Sequence, residues 1–157
     1  MVVDKMDLIA YEMEYTDKII EECNINCIKF EEKYFNDYMR IYNECFYDMR
    51  KALDRKPYNY LSDYKQISNH INNIYLLIEN NQIIGSVACY GNEVDDLIVN
   101  KKYQNKGYGK KLLLWAMHVI RKNNHNPITL HVAKWNENAL KLYQNVGFVI
   151  KDTEIIG

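Results

Sequence analysis

Proline is scarce in this chain. Pro57 and Pro127 are the only two, and glycine occurs just six times. Breaks must therefore be read from asparagine, from the few glycines and from changes in hydrophobic period. Charge of either sign is not in excess: 20 Lys and Arg stand against 21 Asp and Glu, a net charge of −1. This excludes a general electrostatic pull toward nucleic acid or an anionic membrane, so any anion recognition must be local. Long apolar runs are missing as well. The longest near the N-terminus is Leu8, Ile9, Ala10 and Tyr11, preceded by Asp4, Lys5 and Asp7. No secretory signal and no membrane-spanning helix is expected, and the expected location is the cytoplasm. The four cysteines, Cys23, Cys27, Cys45 and Cys89, read as free thiols. Cys23 and Cys27 find no second Cys or His pair at ligand spacing, and no two histidines are four apart, so no metal is expected. There is no internal repeat, low-complexity segment or linker. With 157 residues, 48% hydrophobic and 26% charged, residues 1–157 are expected to form a single folded domain.

The hydrophobic period changes along the chain. Residues 8–13 alternate weakly, and residues 25–30 read as a second short strand. From Tyr34, the apolar positions Phe35, Tyr38, Met39, Tyr42, Cys45, Phe46 and Met49 recur at steps of three and four, which predicts a helix. Ser62 can cap a further helix reaching about Asn72. Residues 74–78 and 82–90, joined at Asn80 and Asn81, read as a hairpin of buried strands, and residues 93–99 as a strand that follows it. A helix is expected from about Gly107 to Lys122, a strand over residues 128–133, a helix from Asn138 to Val146 closed by Gly147, and a last strand opening at Phe148. The second half alternates β-α-β-α-β and the strands before it form hairpins. This predicts a mixed sheet with helices on both faces.

The most informative stretch is Gln104, Asn105, Lys106, Gly107, Tyr108 and Gly109. A buried strand ending at Val99 leaves through a short polar loop and enters a helix at two glycines. The first turn of a helix has unpaired N–H groups and the positive end of the dipole. Glycine lets a bulky anion approach those donors. Lys106, Lys110 and Lys111 add positive charge. The pattern implies a diphosphate site. A dinucleotide-binding turn would need glycine where Leu112 stands, and a P-loop would need Gly-Lys-Ser/Thr, so neither fits. A glycine-rich junction without a ligand is the competing reading of these residues alone.

The stretch resembles the Gln/Arg-x-x-Gly-x-Gly/Ala signature of the GNAT superfamily of acyl-CoA N-acyltransferases. A second block follows. Asn136, Ala139, Leu142, Tyr143, Gly147 and Phe148 are spaced like that family's Asn-x-x-Ala-x-x-Leu-Tyr-x-x-x-Gly-Phe. The resemblance spans residues from about 74 to 150, taken as the acetyl-CoA-binding core, and leaves 1–73 as the part that builds the acceptor site. Where many relatives have proline two residues after the strand-ending valine, this chain has Lys101. The fold implied is α/β (α+β): a GNAT-like mixed, mostly antiparallel central sheet of about six to seven strands, helices on both faces, and a splay between the two central parallel strands.

The resemblance implies an N-acetyltransferase that moves the acetyl group of acetyl-CoA directly to a primary amine, with a non-catalytic acyl-CoA-binding sensor or scaffold as the alternative. Tyr143 would be the general acid for the departing thiolate; core packing at the helical spacing of Ala139, Leu142, Tyr143 and Val146 is its competing role. Glu93, eleven residues before Gln104, would be the base, with Asp95 as the runner-up. The two-residue period puts Glu93 on one face with Asp95, Leu97 and Val99. Acetyl-CoA would lie against Leu97, Ile98, Val99, Gln104, Asn105, Lys106, Gly107, Tyr108, Gly109, Lys110, Asn136 and Tyr143. Asn136 would reach the pantetheine arm, cap a helix, or both. The expected partners are acetyl-CoA and an amine acceptor, without nucleic acid, membrane or metal; edge strands near the C-terminus leave room for a homodimer.

Overall fold

The computed structural model describes residues 8–123 and 125–156. Its strands are β1 Leu8–Tyr15, β2 Ile28–Lys29, β3 Ile74–Glu79, β4 Gln82–Tyr90, β5 Glu93–Val99, β6 Ile128–Ala133 and β7 Val149–Ile156. Its α-helices are α1 Phe35–Ala52, α2 Tyr108–Lys122 and α3 Glu137–Val146. The strands make one mixed sheet in the order β2-β3-β4-β5-β6-β1-β7. All pairings are antiparallel except that of β5 with β6.

The β3–β4 hairpin turns on Asn80 and Asn81 at φ 51° and 61°. A two-residue connection needs positive φ at both central positions to match the twist of its strands, and asparagine tolerates that better than most residues. α2 lies against one face of the sheet. Its Leu112, Leu113, Ala116 and Met117, all at 0% exposure, pack with Val87, Val94, Leu130 and Met13. Burying side chains of this size contributes about 1.5–3 kcal/mol each for the larger ones. α3 adds Tyr143 to the same cluster. α1 covers the opposite face, with Tyr38 and Ile41 against Leu76, Ala88 and Ile98. Helices therefore stand on both faces, as the alternation of elements implies.

The first strand departs from the sequence reading. β1 forms no hairpin with β2. It fills the slot between β6 and β7 and pairs antiparallel with both, Met13 opposite Leu130 on one side and Ile150 on the other. The reason is burial. Tyr11, Met13 and Tyr15 alternate toward the α2 cluster, which only that slot provides. β5, β6 and β7 then run in one direction, joined by α2 and α3, with β1 inserted against them. The helix expected after Ser62 is also absent; two 3-10 turns stand there, Tyr64–Gln66 and Ser68–Asn73. Asp63, not Ser62, caps the first, accepting from the Lys65 amide at 3.0 Å while Gln66 Oε1 accepts from the Asp63 amide at 2.9 Å. The edge strand near the C-terminus is β7, whose Val149, Ile150, Ile155 and Ile156 are exposed.

Candidate active site

Two cavities are lined by successive residues of β5 just beyond the point where it parts from β6. The parallel ladder holds at Glu93 with Thr129 and at Val94 with Leu130, and stops there. β5 keeps β4 as a partner as far as Val99, so Leu97, Ile98 and Val99 have one edge free of strand pairing. The first cavity, of about 350 Å³, opens along that edge. Its floor runs from Leu97, Ile98 and Val99 to Gln104, Asn105, Gly107, Tyr108 and Gly109, and its far wall is Asn136, Leu142 and Tyr143. Most of the residues assigned from sequence to the cofactor thus come together in one groove. Lys106 and Lys110 do not line it. Lys106 lies over the Tyr103 ring at 5.7 Å, and Lys110 pairs with Glu21 at 3.0 Å beside a separate surface hollow.

The turn into α2 is built for open amides. Gly107 is the N-cap at φ 87°, with no atom within 4 Å of where a side chain would begin. Glycine brings no capping side chain, and the first N–H groups of a helix have no partner within it. Gln104 fixes the loop by donating from Nε2 to the Val99 carbonyl at 3.0 Å, and the Cys45 thiol donates to the same oxygen at 3.2 Å. The Val99 carbonyl is therefore already engaged. Asn136 lines the groove and caps α3 at once, its Oδ1 accepting from the Ala139 amide at 3.2 Å.

β5 itself bulges. Ser86 faces Ile98, but Ala88 faces Asp95, so β5 carries one residue more than β4. Asp96 takes the left-handed conformation at φ 45°, and its amide donates to Asp95 Oδ1 at 2.8 Å. The extra residue shifts the alternation. Val94, Leu97 and Val99 pack on the α2 side while Ile98 packs on the α1 side, so the single face expected for Glu93, Asp95, Leu97 and Val99 does not exist.

The bulge turns Asp95 and Asp96 into the second cavity, about 360 Å³, walled by Tyr42, Tyr60, Tyr90 and His70. Burial, then the charge of Asp95, pushes the Asp96 carboxyl up from 3.8 to about 7. No donor among the described residues is bonded to that carboxylate. Asp95 is exposed on one side and enclosed on the others. Burial raises its proton affinity first; the Asp96 amide works against this, the charge of Glu93 adds to it, and His131 and His70 oppose it. Asp96 was not singled out by sequence, because a regular strand would send it to the opposite face from Asp95.

Glu93 is engaged elsewhere. Its Oε1 bonds His131 Nδ1 at 2.8 Å across the parallel pair, and it lines neither cavity. His131 Nε2 lies 3.6 Å from Glu154, and Glu12 completes a group whose ligand atoms fall within 4.8 Å of one another. Tyr143 is 8% exposed and lines the first cavity. Burial, and then the charge of Asp95, holds its phenol above the ordinary tyrosine value, so it is protonated at neutral pH. It also belongs to the α2 core cluster and contacts Phe148 edge-on at 6.2 Å. Tyr143 thus stands at once in the groove wall and in the core.

Residues 35–148 match the Acetyltransferase (GNAT) family. The chain belongs to the GNAT acetyltransferase family. Among solved structures, a GNAT-family acetyltransferase from Colwellia psychrerythraea superposes with a TM-score of 0.72 at 11% identity, over 94% of this chain and 54% of that one. The PaiA N-acetyltransferase of Thermoplasma acidophilum, determined in complex with coenzyme A, superposes with a TM-score of 0.59 at 17% identity, over 83% and 93%. In sequence, N-alpha-acetyltransferase 30 of Xenopus laevis is 38% identical over 53 residues, which is 34% of this chain and 19% of that protein. The chain thus aligns with about a fifth of that relative and about half of the Colwellia protein.

The splay and the start of α2 are the two ends of one groove. Tyr143 lines the first cavity and the Asp95–Asp96 pair the second.

Proposed function

We propose that this protein transfers the acetyl group of acetyl-CoA directly to a primary amine. The observation that carries the reading is the continuity of the first cavity. A strand edge freed beyond Val94 leads without a break to the uncapped amides at Gly107. A pantetheine arm needs such an edge for its amides, and a diphosphate needs such a helix start. The coenzyme A held by the Thermoplasma acidophilum relative is the same ligand class. Gly107 and Gly109 admit the diphosphate, Leu97 and the strand edge hold the arm, and Asn136 offers its amide from the opposite wall.

An amine is mostly protonated at neutral pH and must lose that proton before it attacks. The Asp95–Asp96 pair receives it. Asp96, with its proton affinity near neutrality, suits that task better than Glu93, whose carboxylate is held by His131. The neutral amine attacks the thioester carbonyl and a C–N bond forms; the C–S bond breaks, Tyr143 gives its proton to the departing thiolate, and the second proton that the nitrogen sheds as the amide forms restores the Tyr143 phenol. Cys45 borders the groove, but burial pushes its thiol up to about 11. It stays protonated, which favours direct transfer over an acyl-cysteine intermediate.

The test is calorimetric titration with acetyl-CoA, followed by thiol release in the presence of amines. Binding tighter than about 100 μM, a typical upper range for substrates, with amine-dependent thiol release supports the reading. Binding without release would leave a non-catalytic acyl-CoA module, and absence of binding would remove the cofactor assignment.

A further inference from the structure

The second cavity is as informative about the acceptor as the first is about the donor. It holds two carboxylates, Asp95 and Asp96, and three tyrosine rings, Tyr42, Tyr60 and Tyr90. Among the described residues no lysine or arginine lines it. A positive group is favoured twice there, by the carboxylates and by aromatic rings that attract cations. A negative group finds no lysine or arginine there and meets the negative charge of the aspartate pair. The volume, about 360 Å³, lies at the low end for ligand pockets, which suits a small molecule.

The cavity also stands where an acceptor must stand. Tyr42 packs on Phe46 with ring centroids 4.6 Å apart, and Phe46 borders the first cavity one helical turn along α1. Asp95 and Asp96 line this cavity, and Leu97, the next residue of β5, lines the first. An ammonium drawn to the two carboxylates is thereby placed beside the splay.

We propose that this cavity is the acceptor site and that it selects a small cationic amine lacking a carboxylate next to the amino group, excluding free amino acids. The proposal rests on the acetyl-transfer reading for the purpose of the site, but not for its ligand chemistry. The feature that discriminates is the α-carboxylate, so matched pairs that differ only there are the probe: cadaverine against lysine, and tyramine against tyrosine.

Each is titrated into the full chain without acetyl-CoA, by calorimetry or ligand-observed NMR. At least one amine should bind, and its α-carboxylated counterpart should bind roughly tenfold or more weakly, as expected for a like charge brought near a carboxylate pair. Asp96→Asn, with its fold checked by thermal melting, should shrink that ratio by weakening the amine. Equal or tighter binding of lysine and tyrosine overturns the proposal, and so does failure of both amines to bind. Acetyl-CoA is titrated separately. If it fails while the amines bind selectively, the acetyl-transfer reading falls and the pocket's selectivity stands. If it binds while the pairs are not distinguished, the selectivity alone falls.

Discussion

Glu93 and His131 are joined at 2.8 Å across the last ladder rungs before β5 and β6 separate. The pair latches the closed end of the splay. Burial disfavours the imidazolium, but the hydrogen bond and charge of Glu93, with the charges of Glu154 and Glu12, outweigh it and raise the His131 value. A raised histidine stabilises the fold fully below its unfolded value near 6.5, and that contribution fades as pH rises through the folded value. Glu93→Gln should therefore lower the His131 titration midpoint by NMR and destabilise the protein at pH 6 but not at pH 9. Its acetyl transfer should stay within about threefold of wild type, since a base would cost 10²–10⁴. A larger loss with an unmoved His131 midpoint would return Glu93 to the role of base.

Asp96 should show the opposite trade. Between its ordinary 3.8 and about 7 the folded protein holds a proton that the unfolded chain has released. Stability from this group is complete below about 4 and declines as pH rises toward 7, at about 1.4 kcal/mol per unit. Asp96→Asn should thus melt higher than wild type at pH 8, with the gap closing near pH 4. Turnover should fall by about 10²-fold or more, and the acid limb of kcat/KM that the aspartate pair produces near neutrality should disappear. A variant that is both less stable at pH 8 and fully active would contradict this account.

Tyr143→Phe removes one oxygen from a side chain that is otherwise core. The ring contact with Phe148 and the packing against α2 remain. Turnover should drop by about 10- to 100-fold with the KM for acetyl-CoA nearly unchanged, the pattern of a group that acts in the transition state. Wild-type turnover in this variant would leave Tyr143 with packing alone.

Gly109 separates ligand contact from folding. A Cβ there would meet Leu142 Cδ2 at 3.5 Å and Val99 Cγ2 at 3.9 Å, both ordinary contacts, and φ is not positive. Alanine should be neutral or slightly stabilising, since Gly109 stands in the first turn of α2 and helices favour alanine over glycine. Gly109→Glu should fold and yet lose acetyl-CoA binding by calorimetry, through bulk and charge set against the diphosphate. Unchanged affinity in the glutamate variant would place the diphosphate elsewhere.

Much of the groove was legible in the sequence because its parts are local. Gln104, Gly107 and Gly109 lie within six residues, and one strand-to-helix turn suffices to make them a site. The block from Asn136 to Phe148 is likewise a single cap, helix and stop. The helices, the hairpin at Asn80 and Asn81 and the last strands follow from period and turn chemistry for the same reason. The registers that matter for the acceptor are not local. The face shared by Asp95 and Asp96 depends on one residue inserted in β5 relative to β4, and no pattern within β5 reveals that insertion.

The amino-acid order by itself determined the order of elements, the open helix start and the family. Each follows from interactions a few residues apart. Only the tertiary structure decided that β1 enters between β6 and β7, that Glu93 is held by His131, and that Tyr42, Tyr90 and the bulged aspartates enclose one cavity. Those outcomes depend on which distant apolar faces are buried together, and that competition is settled when the whole sheet closes on its two layers of helix.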